Sequence, residues 1–260
     1  PLWEHMLEAG VFAQAFLLDS AYKEMLPFLA KMAHLTIRQM VNDITFLGSM
    51  HDLGKMHPTF QGKILQTEPS PNGAQPFRHE VYSTVLLRDW LADKEPSLRT
   101  RTKLMMVIQD HHQCKNVSIG NGDYCDAYDT RDIVHQDARA MVEWFVDKYP
   151  YTPFQVSVDD DLVFYTLLSG IMRLSDWSVS AFGQELSASS CETEETYERS
   201  VRERCLQYFK EGGIMPHTFQ NAYAYGDLFP ALSKPDITLR PIQQTMIRAI
   251  SEHPTPGLIL

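Results

Sequence analysis

The four cysteines, Cys114, Cys125, Cys191 and Cys205, include no CxxC pair. Their wide spacing offers neither a zinc ribbon nor a disulfide scaffold, and reduced thiols in a cytoplasmic protein are expected. No apolar run approaches the ~20 residues of a membrane-spanning helix, and no charged start plus apolar stretch marks a signal peptide, so no membrane association is expected. Internal repeats and low-complexity tracts are missing as well. Bases are in deficit: 23 Lys and Arg stand against 33 Asp and Glu, a formal net charge of -10. That balance provides no global attraction to nucleic acid, so any phosphate contact has to be local or metal-mediated. What is present, in 260 residues with 44% hydrophobic and 22% charged content, suits a substantial buried core and excludes a wholly disordered or fibrous chain. Ten histidines are the compositional oddity. The first residue, Pro1, and the last four, Gly257-Leu258-Ile259-Leu260, read as cuts within a longer protein.

The apolar periodicity predicts an all-α fold. From Thr36, the positions Met40, Ile44 and Leu47 recur at helical spacing, and His51 continues that stripe until Gly54 ends the helix. A second helix places Tyr82, Val85, Leu86 and Trp90 on one face, with His79 a turn earlier. A third runs through Leu104, Val107 and Ile108 to His111 and His112. A fourth starts at the acidic cluster Asp159-Asp160-Asp161, which suits a helix N-terminus, and carries Leu167, Gly170, Ile171 and Leu174 to Asp176. A fifth, Leu2 to Leu17, holds His5. Residues 66–76 and 116–130 read as loops, 131–148 as a helix and 192–210 as a charged, exposed helix. After Gly212-Gly213 a proline-containing connector leads to an amphipathic piece, Leu239 to Ile250, and a short apolar strand, Leu258 to Leu260.

Metal-ligating residue types recur at helix ends and on apolar faces: His5, His51-Asp52, His79, His111-His112 and Asp176. One histidine on an apolar face is ordinarily a satisfied core residue. The His51-Asp52 pair differs, because a buried carboxylate needs a cation or several donors to offset its desolvation. Two adjacent imidazoles, His111 and His112, point in different directions and can reach two neighbouring metals. The whole ordered set makes a metal site the expectation.

His51-Asp52-Leu53-Gly54-Lys55, followed by Arg78-His79-Glu80, Asp110-His111-His112 and Ser175-Asp176-Trp177, resembles the HD metal-dependent phosphohydrolase superfamily. The closer resemblance is to the HD nuclease domain of the CRISPR-associated helicase-nuclease of type I systems, with Trp3-x-His5 and Phe60-Gln61 in support. It covers most of residues 1–180. Leu239-Arg240-Pro241-Ile242-Gln243-Gln244 is similar to the Q motif that opens superfamily 2 helicases, in which the glutamine, here Gln243, reads adenine. The chain ends before any GxxxxGKT, so ATP concerns only the missing helicase part. The resemblance implies an HD-superfamily helical domain over 1–210, a connector over 211–236 and a truncated helicase start over 237–260.

It also implies a two-metal centre. His5, His51, Asp52 and Asp176 would hold one ion, His79, His111 and His112 the other, and Asp52 would bridge them. Imidazole-rich ligation favours iron, manganese, cobalt or nickel, with magnesium as an option. Asp52 and Lys55 are the expected catalytic residues. Lys55 either meets the substrate phosphate or is a solvated helix-end lysine. Ser180, four residues after Asp176, is the expected DNA neighbour, with Lys55. His34, His57, His135, His217 and His253 read as surface or structural, as do Lys63 and Arg78, and Trp177 as a core plug beneath the site. The implied activity is cleavage of single-stranded DNA, the displaced strand of an R-loop, by a monomer that works with a type I surveillance complex. An HD phosphohydrolase acting on nucleotides is the enzymatic alternative. A docking module for the surveillance complex, using 116–130 and the 192–210 helix, is the other.

Overall fold

The computed structural model describes residues 2–65, 78–112, 133–181, 193–212, 214–215 and 244–245. At its centre lies α1 (Leu2–Asp19), whose Met6, Leu7, Ala9, Val11, Phe12, Ala13, Ala15, Phe16 and Leu17 are all buried. A helix apolar around most of its circumference has to be enclosed by others. Those are α3 (Ile37–Met50), α8 (Asp161–Ala181) and α9 (Glu194–Glu211). Further out lie α2 (Met25–Met32), α4 (Pro58–Leu65), α5 (His79–Lys94), α6 (Leu98–Gln109) and α7 (Ile133–Lys148), and the described residues contain no strand.

Local chemistry fixes the helix starts. Thr36 caps α3 reciprocally with Gln39: the Gln39 N–H donates to Thr36 Oγ1 (3.3 Å), and the Thr36 N–H donates to Gln39 Oε1 (3.0 Å). Ser97 caps α6 by accepting from the Thr100 N–H (3.2 Å), and Thr193 caps α9 in the same way from Thr196. Glycines bring α1 and α3 together. A Cβ on Gly10 would stand 2.2 Å from Ser49 Oγ and 2.6 Å from the Thr45 carbonyl, so no side chain fits there.

Some sequence expectations need correction. The helix before the HD pair ends at Met50, and Gly54 lies instead within a 3-10 turn, Leu53–Met56. On α5 the buried positions include Ser83, Leu87 and Leu91, whereas Val85, Leu86 and Trp90 are half-buried. Polar Ser83 and Thr84 sit inside because they bond to backbone, which hydrophobic periodicity cannot register. The 192–210 helix is not simply exposed: Tyr197, Val201, Cys205 and Phe209 form a stripe buried on α1, opposite a charged face. Loops 66–76 and 116–130, the connector after residue 215, Gln243 and the strand Leu258 to Leu260 lie outside the described residues. No helix among those residues is long and apolar enough to cross a membrane.

Candidate metal centre

Five separated segments deliver seven potential ligands to one pocket. α1 supplies His5, and the chain leaving α3 supplies His51 and Asp52. The first residue of α5 is His79, the 3-10 turn Asp110–His112 after α6 carries His111 and His112, and α8 brings Asp176. The ligand atoms fall into two groups, His5, His51, Asp52 and Asp176, and Asp52, His79, His111 and His112. Asp52 belongs to both through different oxygens. Its Oδ2 lies 3.0 Å from His5 Nε2 and 3.3 Å from His51 Nε2. Its Oδ1 lies 3.2 Å from His79 Nε2 and 3.5 Å from His111 Nε2. Asp176 Oδ1 completes the first group at 3.5 Å from His5 and 3.4 Å from His51. In the second, His79 Nε2 and His112 Nε2 face each other at 2.9 Å.

The rings are aimed by their far nitrogens. His51 Nδ1–H donates to the Gly48 carbonyl (2.7 Å), and His111 Nδ1–H donates to the Ile108 carbonyl (2.6 Å). A carbonyl only accepts, so the proton sits on Nδ1 in the neutral ring and the Nε2 lone pair turns into the pocket. His5 Nε2, His51 Nε2, Asp52 Oδ1 and His111 Nε2 are buried without an aligned hydrogen-bond partner. Each orphaned polar atom costs on the order of 1–3 kcal/mol. Four of them converging on one place, in a nitrogen-rich donor set, fit a pair of divalent transition-metal cations.

The electrostatics set carboxylate charge against imidazole protons, which a bound cation would displace. Burial alone would lower His51, but the Asp52 charge and contacts with Asp176 and Asp52 raise it to about 10. Burial would raise the Asp52 and Asp176 carboxyls, yet both are held well below the usual carboxylate range. His51, His111 and His5 do this for Asp52, and His5 and His51 for Asp176. His5 is raised by Asp176 and Asp52 against the opposing effect of burial. Burial, then the neighbouring His111 and His79, push His112 down to about 4, so it is a neutral donor at physiological pH.

His51, Asp52, His111 and Asp176 form a buried floor, while His5, His79 and His112 are partly open to solvent and form a rim. Lys55, a fifth exposed, sets its ammonium on Asp52 Oδ2, and Phe60 packs edge-on to His79 (5.2 Å). Ser180 is exposed on α8. Trp177 is 51% exposed, which corrects its reading as a core plug: the buried face of α8 runs through Ser175, Asp176, Ser178 and Val179 and turns Trp177 outward. His57 is buried edge-on to Tyr82 (4.6 Å), and His34 lies at an exposed turn with φ 55°. Arg78 pairs with Glu80, while His217, His253 and the side chains of His135 and Lys63 lie outside the described set.

One supporting residue, Ser83, escaped the sequence reading, which also took Gly54 only for a helix stop. Ser83 Oγ accepts from the Gly54 N–H (2.8 Å) and lies within hydrogen-bond reach of the His51 and His79 carbonyls (2.8 and 3.1 Å), tying the HD turn to α5. Gly54 permits that approach, since a Cβ there would stand 1.9 Å from the His79 carbonyl oxygen. The usable signal was a serine one helical turn beyond His79.

Comparison with known proteins bears on the family and the fold. Residues 1–182 match the family described as Cas3, HD domain. No curated protein matches the chain. Among solved structures, the Thermus thermophilus cas3 HD domain determined in the presence of Ni2+ is similar at 18% identity and TM-score 0.62, over 82% of this chain and 85% of that one. T. fusca Cas3 with ATP is similar at 19% identity and TM-score 0.64, over 95% of this chain but only 28% of that one. A chain of a pre-nicking CRISPR RNA-guided surveillance complex is similar at 18% identity and TM-score 0.56, over 82% of this chain and 27% of that one. With seven-tenths of its length matched, the chain belongs to the Cas3 HD-domain family, metal-dependent phosphohydrolase nucleases of CRISPR systems.

Proposed function

We propose that this domain hydrolyses phosphodiester bonds of single-stranded DNA at a two-ion centre, within a type I CRISPR helicase-nuclease. The observation that carries the reading is the Asp52 carboxylate, which turns one oxygen to each histidine group. A pair of divalent ions, when bound, acidifies water and offsets charge on the phosphoryl and leaving oxygens. His5, His51 and Asp176 would hold one ion, His79, His111 and His112 the other, and Asp52 both. The donor set favours iron, manganese, cobalt or nickel over magnesium, and the use of Ni2+ with the T. thermophilus domain is in keeping with this.

In the hydrolysis, water adds to phosphorus, the bond to the leaving sugar oxygen breaks, and that oxygen departs with a proton. The buried floor keeps the ligands fixed, and the open rim admits the strand. Lys55, once drawn off Asp52, offers a charge-assisted donor to a phosphate oxygen, and Ser180 lies along the strand on α8. An acidic chain binds DNA only where cations and such donors reverse the local charge. Residues 237–260, with Gln243, would open a helicase domain beyond a 211–236 connector. The 28% coverage of T. fusca Cas3 supports a longer parent protein, and the similarity to a chain of a surveillance complex supports one that acts with such a complex.

The test is a cleavage assay with Mn2+, Co2+, Ni2+ and Mg2+ on labelled single-stranded DNA, duplex DNA and dNTPs. Metal-dependent cutting of the single strand, well ahead of duplex, is expected. Hydrolysis of dNTPs with intact DNA would replace the nuclease reading by the nucleotide one.

A further inference from the structure

The turn that bears His111 and His112 is only three residues long, Asp110–His112, so its own hydrogen bonds fix little of its position. It is held from outside by Arg173 on α8. One guanidinium nitrogen, Nη2, donates both to the Asp110 carbonyl (3.0 Å) and to Asp110 Oδ2 (2.7 Å). Arg173 precedes Asp176 by three residues on the same helix, so the two side chains project from neighbouring positions on one face. A second tie lies one turn further along, where His112 Nδ1 approaches Asp176 Oδ2 at 4.0 Å. One helix thus delivers a ligand to the first group and grips the turn carrying two ligands of the second.

We propose that Arg173 is a positioning residue that clamps the Asp110–His112 turn to α8 and so sets His111 and His112 against Asp52. This rests on the two-ion reading above. The pair stands at the solvent edge, with the Arg173 side chain 29% and the Asp110 side chain 42% exposed. Water and salt screen such a pair, so it adds little to overall stability. Its effect is geometric. Grasping a backbone carbonyl and the side chain of the same residue fixes both the height and the rotation of the turn. Outer groups of this kind typically change metal affinity 10- to 100-fold when removed.

The experiment measures Ni2+ stoichiometry and affinity, by chelator competition and elemental analysis, on the wild-type chain and Arg173→Met. Two ions are expected in wild type. In Arg173→Met one ion keeps its wild-type affinity while that of the other falls at least roughly tenfold, with thermal unfolding of the metal-free protein little changed. Asp110→Ala keeps the carbonyl contact and should give part of the loss, and the double variant should add nothing to Arg173→Met, as for two halves of one device. Should Arg173→Met not fold, Arg173→Gln is read in the same way. Both ions held at wild-type affinity, or both weakened equally, would overturn the clamp. A wild-type protein that binds fewer than two ions instead removes the two-ion reading itself.

Discussion

Asp52 is fully buried with its carboxyl ionised, and the neighbouring His51, His111 and His5 keep it so. Because each of its oxygens serves a different group, Asp52→Ala should strip both ions rather than one. Elemental analysis after dialysis reads this directly: a variant that keeps two ions contradicts the bridge. Its DNA cleavage should fall to background, with folding checked by circular dichroism, since the substitution leaves a histidine cluster without its counter-charge. Lys55 separates cleanly from Asp52. It contacts one ligand oxygen but is itself no ligand, so Lys55→Ala should leave both ions bound while lowering turnover roughly 100-fold, as losing one oriented donor at a reacting centre does. Loss of metal in that variant would give Lys55 a structural role.

At the scale of elements, α9 lies beyond the family-matched residues 1–182 yet closes over α1, the helix that carries His5. Phe209 packs on Phe12 and Phe16 with ring centroids 5.2 and 6.2 Å apart, Tyr197 packs on Trp3 at 5.8 Å, and Tyr197 Oη donates to Glu8 Oε1 (2.6 Å). Phe209→Ala should cost about 3–5 kcal/mol, measured by urea unfolding. A change within about 1 kcal/mol would mean that α9 is an appendage. How legible these elements were depends on what held them. The ligands could be read because His51-Asp52 and His111-His112 are marked adjacent pairs, and His5, His79 and Asp176 fall in order around them. The face of α5 could not, because Ser83 is buried by hydrogen bonds and a hydrophobic period registers only apolar positions. The 3-10 turns at 53–56 and 110–112 were hidden for a related reason: over so few residues their side-chain directions barely differ from those of an α-helix. Trp177 misled because its size, not its neighbours, argued for burial.

Across the whole molecule, away from the metal centre, two buried acids join three segments. Asp43 on α3 accepts the Thr152 N–H (2.8 Å), and Glu95 after α5 accepts the Tyr151 hydroxyl (3.1 Å) and the Phe154 N–H (3.0 Å). Both are shut away from water, and Asp43 Oδ2 has no hydrogen-bond partner. Burial, with the Glu95 charge adding to it against the Thr152 bond, raises the Asp43 carboxyl to about 8. The folded chain therefore keeps a proton that the unfolded chain releases above pH ~4. Below that pH the two states are matched. Between there and about 8, rising pH stabilises only the unfolded state, so stability falls, and above about 8 both states have released the proton and the loss levels off. Asp43→Asn retains an oxygen for the Thr152 N–H and carries no proton to lose. In urea unfolding with chelator present, the variant should gain on wild type by an amount that grows from pH 5 to pH 8, of the order of a few kcal/mol. Ionisation of the histidine cluster is common to both proteins and cancels in the difference. Parallel stability profiles would show that Asp43 stays charged in the folded core, with a counter-cation or water that the helices admit.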